Sequence, residues 1–136
     1  MSQVMAIDFG TRRLGMAVSD ADGRFALPLE ALDVPPRARV AAVADAARER
    51  DVETIVIGRP RRAAGEDSHL WPDIVRFGDG LTRRGFQVVF EDEAFTTTEA
   101  QEMLAAAGSR PARGAVDAVA AKLILEQYLQ RRHAEE

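Results

Sequence analysis

The chain has 136 residues, 46% of them apolar, and a formal net charge of −4. That is enough for one domain (1–136) with a packed core, which excludes wholesale disorder. The absence of cysteine excludes disulfides, thiolate metal sites and cysteine nucleophiles, and the lack of a signal-peptide pattern or a run of roughly 18 apolar residues makes a cytoplasmic protein without membrane contact the expectation.

Val4 to Phe9 is a short apolar run with β-branched residues and reads as a strand. It leaves through Gly10-Thr11-Arg12-Arg13-Leu14-Gly15 into a second strand over about 15–20. Asp22-Gly23 marks a hairpin turn, and Phe25 to Leu29 begins a third strand whose Pro28 suits an edge position. These three strands predict an antiparallel meander. Pro35-Pro36 then punctuates the chain. Val40, Ala41, Val43, Ala44 and Ala47 recur at helical spacing within 37–50. Glu53 to Gly58 is a β-branched strand, so strand, helix and strand imply a parallel addition to the sheet.

A polar loop covers 59–68. A helix follows over about 70–84, although Gly78 and Gly80 weaken it. Phe86 to Phe90 is the fifth strand and runs into Glu91-Asp92-Glu93. Thr96 and Glu99 fit a capping box for a helix over about 97–107. The last helix spans about 115–132, with Val116, Val119, Ala120, Leu123, Ile124 and Tyr128 as its expected buried stripe. The outcome is an α/β layer fold, a five-stranded mixed sheet with three antiparallel strands, two parallel ones and helices packed on both faces.

Asp8 interrupts an apolar strand, and a buried carboxylate is costly unless it is paired, hydrogen-bonded or metal-bound. If the first and fifth strands are parallel, their carboxyl ends share the edge where open α/β sheets place ligands. Asp8, an acid of the 91–93 run and Asp117 at the start of the last helix would then meet. Three carboxylates without cysteine suit Mg²⁺ or Mn²⁺, and two such ions about 4 Å apart serve phosphodiester displacement. Each acid also has a plainer reading. Asp117 favours a helix first turn through the macrodipole, and the 91–93 run by itself reads first as a solvated strand end. His69 and His133 are isolated, and Trp71 reads as core.

All but one of the 18 basic residues are arginine, Lys122 being the exception. Arginine suits bidentate phosphate contacts, and besides Arg83-Arg84 and Arg131-Arg132 its clusters lie in loops: Arg12-Arg13, Arg59 with Arg61-Arg62, and Arg110 with Arg113. These residues, with Thr11, are the candidate nucleic-acid contacts. The same bias also follows from genome composition.

Taken in order, Asp8-Phe9-Gly10-Thr11 with Gly15, Gly58-Arg59-Pro60, Asp92-Glu93 with Thr96-Thr97 and Ala100, Val116-Asp117 with Ala120, and Ile124-Leu125-Glu126 with Tyr128 resemble the YqgF family over nearly the whole chain. The resemblance implies an RNase H-like fold and a nuclease that processes the 5′ end of pre-16S rRNA, or alternatively a Holliday-junction resolvase acting on branched DNA. It puts the acidic trio on Asp8, Glu93 and Asp117, with two Mg²⁺ or Mn²⁺ ions as cofactors. RNA or branched DNA is the implied partner, with the chain as monomer or homodimer. Two departures stand out: Ala94 where the family commonly has Arg, and Arg59 where it commonly has Leu.

Two other function classes remain on the sequence. Asp-x-Gly-Thr also opens the phosphate hairpin of the actin-like ATPases, but those enzymes close two such domains on a nucleotide and this chain supplies one. A non-catalytic nucleic-acid-binding domain is the other, and the intact acidic trio argues against it.

Overall fold

The computed structural model describes residues 3–60, 69–93 and 115–135, the side chains of 115–117 excepted. Five strands form one mixed sheet: β1 (Val4–Phe9), β2 (Leu14–Ser19), β3 (Ala26–Leu32), β4 (Thr54–Arg59) and β5 (Gln87–Asp92), in the order β3-β2-β1-β4-β5. β1, β2 and β3 pair antiparallel, while β4 and β5 add in parallel beside β1. The meander and the parallel crossovers are therefore as expected, and Pro28 does lie on the edge strand. β5 continues to Asp92, two residues beyond the expected end, because Gly58 and Arg59 of β4 still pair with Glu91 and Asp92.

Strand alternation sorts the core into two layers. Met5 and Ile7 of β1, with Ile55 and Ile57 of β4, face α1 (Arg39–Glu49) and α2 (Trp71–Arg83). Val4 and Ala6 of β1, with Val56 of β4, face α3 (Ala115–Ala134). A short 3₁₀ turn, Pro36–Ala38, leads into α1. The small residues Ala6, Ala17, Ala26 and Ala121 let α3 lie close on its face of the sheet. The buried face of the helix overlaps the expected stripe at Ala120 and Ile124 and is otherwise rotated from it. Ala120, Ala121, Ile124, Leu125 and Leu129 are buried, whereas Val119, Leu123 and Tyr128 are only partly so.

Gly78 does not break α2. A Cβ there would stand 2.9 Å from the ring of Phe90, so the glycine is the place where helix and strand touch. The helix expected over 97–107 and its capping box lie outside the described residues. Among the described residues, no helix is long and apolar enough to cross a membrane.

Candidate active site

Extending the β1–β4 register one residue past the Ile7–Ile57 pair brings Asp8 level with Gly58 at the carboxyl edge of the parallel strands. Gly58 in turn pairs with Glu91 of β5. Alternation decides what the three consecutive acids can do. Val89 packs with α3, so Glu91 shares that face, and Asp92 takes the opposite one with Val88 and Phe90.

Glu91 is buried and held by Arg131 of α3, whose Nη2 donates to Oε1 at 2.7 Å and whose Nε donates at 3.1 Å. The Glu91 hydrogen bonds raise the Arg131 pKa. This acid is a structural tie between sheet and helix, not a solvated strand end. Glu93 is the acid that returns to the edge. Its N–H donates to the Arg59 carbonyl at 3.2 Å, and its side chain folds over Gly58, with Oε1 3.1 Å from where a Cβ would stand.

There it is hydrogen-bonded to Asp8. Burial pushes the Glu93 carboxyl above the usual glutamate range, and the hydrogen bond with Asp8 opposes that rise.

The linkage has a definite sign. A carboxyl raised in the folded state binds more protons there than in the unfolded chain, so stability is highest at low pH and is lost as pH rises through the raised value. In EDTA, the Tm of the wild type should therefore fall across that interval more steeply than the Tm of Glu93→Gln. Parallel melting curves over pH 5–8 check this, and identical slopes would contradict the buried carboxyl pair.

α3 runs antiparallel to β5. Going toward the helix N-terminus, Arg131 meets Glu91, Gln127 donates to the Asp92 carbonyl at 2.7 Å, and Ile124 reaches Gly58. Position 117 lies seven residues further on, about 10 Å along the axis. The helix backbone therefore continues past the carboxyl edge of β4 to reach position 117, while the Asp117 side chain lies outside the described residues.

Thr11 and Arg12 are exposed at the β1–β2 turn beside Asp8, and Arg13 is half-buried. Arg59 lies 4.1 Å over the Trp71 ring, which itself packs against the core and edge-on to Phe90. Arg61, Arg62, Arg110 and Arg113 lie outside the described residues.

Sequence reading missed Arg39, the first residue of α1. It is 3% exposed, donates from Nη1 to the Gly10 carbonyl at 2.8 Å and from Nη2 to the Thr11 carbonyl at 3.3 Å, and lies 4.8 Å over the Phe9 ring. Burial lowers its pKa. The signal was its spacing: Arg39 precedes Val43 by four residues and so belongs to the apolar stripe.

A family model described as "RuvX: Holliday junction resolvase" matches residues 2–131. A relative from Chloroflexus aurantiacus, named "Putative pre-16S rRNA nuclease", is 36% identical over 135 residues, covering 96% of this chain and 88% of the relative. One of the same name from Syntrophus aciditrophicus is 38% identical over 131 residues, covering 93% and 87%. Among solved structures, Thermus thermophilus RuvC superposes with a TM-score of 0.61 at 17% identity, covering 97% of this chain and 96% of RuvC. That likeness shows the RNase H-like fold. The chain belongs to the RuvX (YqgF) family of nucleases, hydrolases of phosphodiester bonds.

Proposed function

We propose that the chain is a divalent-metal-dependent nuclease that trims the 5′ leader of pre-16S rRNA in the cytoplasm, with Asp8, Glu93 and Asp117 as its catalytic carboxylates. The observation that carries this reading is the Asp8–Glu93 carboxyl pair over Gly58. Two carboxyl groups set side by side in a partly buried site are a ready pair of oxygen ligands for a cation. The donor set is all oxygen, which fits Mg²⁺ or Mn²⁺.

Asp8, Glu93 and Asp117 would hold the metal, the third acid completing the oxygen ligands that two ions need. When bound, such ions supply an activated water and charge stabilisation at the leaving oxygen. The chain's own residues do the rest. Gly58 leaves room for the Glu93 side chain, Arg39 fixes the backbone of the turn after Asp8, and Thr11, Arg12, Arg13 and Arg59 would hold backbone phosphates, joined by Arg61, Arg62, Arg110 and Arg113.

The family description favours one second reading, cleavage of a four-way DNA junction. That reaction cuts two symmetric strands and needs a two-fold dimer. A side-by-side assay in Mg²⁺ and Mn²⁺ separates the two. Wild type should cut an rRNA 5′-leader fragment, leave a four-way junction intact and stop in EDTA. The reverse preference, from a dimeric protein, would transfer the conclusion to the junction, and cleavage of neither would remove both.

A further inference from the structure

A cavity of about 390 Å³ opens on the face of the sheet opposite the carboxyl pair, and nothing above uses it. Its apolar wall is Phe9, Pro36, Val40 and Phe77, and its cations are Arg37, Arg39 and Arg76. Asp73 also lines it and pairs with Arg76, while Asp33 acts on Arg39 from nearby. One positive charge remains in excess.

Two independent features point to an anion here. Arg39 is 97% buried, yet its partners are two carbonyl oxygens and a ring face, and its Nε has no hydrogen-bond partner. Its hydrogen bonds go to neutral carbonyls, with Asp33 adding only a Coulombic attraction, so the buried cation is incompletely paired. The cavity also borders the start of α1, which has no acidic residue in its first turn and no capping side chain. The positive end of that helix dipole therefore meets no negative side chain of its own.

The shape adds the second half of the ligand. A phosphate alone needs no aromatic wall, whereas a nucleotide pairs one anion with a flat apolar base. Phe9 directly follows Asp8, so cavity and carboxyl pair are separated by the thickness of one strand.

We propose that this cavity is a subsite for one nucleotide of the substrate strand flanking the cleaved bond, its phosphate drawn by Arg37 and Arg39 and its base set against Phe9 and Pro36. The assignment of the nucleotide to a substrate strand rests on the nuclease reading; binding of a nucleotide does not.

The test is binding by the full-length chain in EDTA, so that no cleavage is involved. Fluorescence anisotropy would measure a labelled 12-nucleotide single-stranded RNA, and amide NMR spectra would follow uridine 5′-monophosphate. Arg37→Glu reverses a charge on an exposed side chain, and Arg83→Glu makes the same change at the far end of α2 as a control.

Arg37→Glu should weaken RNA binding about tenfold and flatten its salt dependence, while Arg83→Glu changes it less than about twofold by the same electrostatic reasoning. Uridine 5′-monophosphate should shift the amides of Arg37, Val40 and Phe77. Equal loss in both variants, or no shift at these amides, would overturn the subsite. Nucleotide binding at the cavity in a protein that cuts no nucleic acid would support the site while removing the nuclease reading.

Discussion

Asp8→Asn is expected to abolish cleavage, by about 10³-fold or more given what preorganised charge and metal ligation contribute, while leaving the fold intact. The two halves of that expectation have different physical origins. Asp8 is half-buried in β1 and hydrogen-bonded to Glu93. Asparagine keeps the size and the contact, because its amide N–H donates to the Glu93 carboxylate without a shared proton. It also removes one of two acidic groups from a confined site, so the metal-free protein should melt no lower than wild type. What it removes is negative charge where a divalent cation would bind. Calorimetric titration with Mn²⁺ should show weaker binding, and RNA binding in EDTA should persist. Retained cleavage in the variant, purified free of host nucleases, would contradict the assigned role.

Most of the fold was legible because its signals are local. Apolar runs of strand length, the Asp22-Gly23 turn and helical spacing each constrain a few neighbouring residues, which was enough for the antiparallel meander and the two parallel additions. Asp8 was legible for the same reason, as a charge inside an apolar strand.

What escaped depends on contacts across the chain. Glu91, Asp92 and Glu93 are indistinguishable as a run of acids. Only pairing of β5 with β4, and the alternation it imposes, sends Glu91 to Arg131 and leaves Glu93 to reach Asp8. Arg39 was missed because charges in an amphipathic helix ordinarily face water. Its burial is set by the Gly10 and Thr11 carbonyls, which come from 28 or more residues earlier in the chain. The stripe of α3 was half legible: Ala120 and Ile124 are buried as expected, but Leu125 and Leu129 rather than Leu123 and Tyr128 complete the buried face, which is set by contact with β1, β2 and β4.

Gly58→Ala is the second substitution with a large expected effect, and it separates packing from chemistry. The added Cβ would stand 2.6 Å from the Ile124 Cδ1, 3.1 Å from the Glu93 Oε1 and 3.2 Å from the Glu93 Cγ. The first contact is impossible without movement, and Ile124 is 1% exposed, so the core must yield. Overpacking of this kind costs about 1–3 kcal/mol. The other two contacts press on the carboxylate itself, and a displacement of about 1 Å in a catalytic group lowers rate by roughly 10²-fold. Both a lower Tm and a slower reaction are therefore expected. Adding Ile124→Val deletes Cδ1 and with it the impossible contact, but leaves Glu93 crowded. The double variant should recover most of the lost stability and little of the lost activity, measured by thermal melting and by single-turnover cleavage of the rRNA leader. Full recovery of both would mean that Gly58 serves only the packing of α3, and that Glu93 does not depend on the space it leaves.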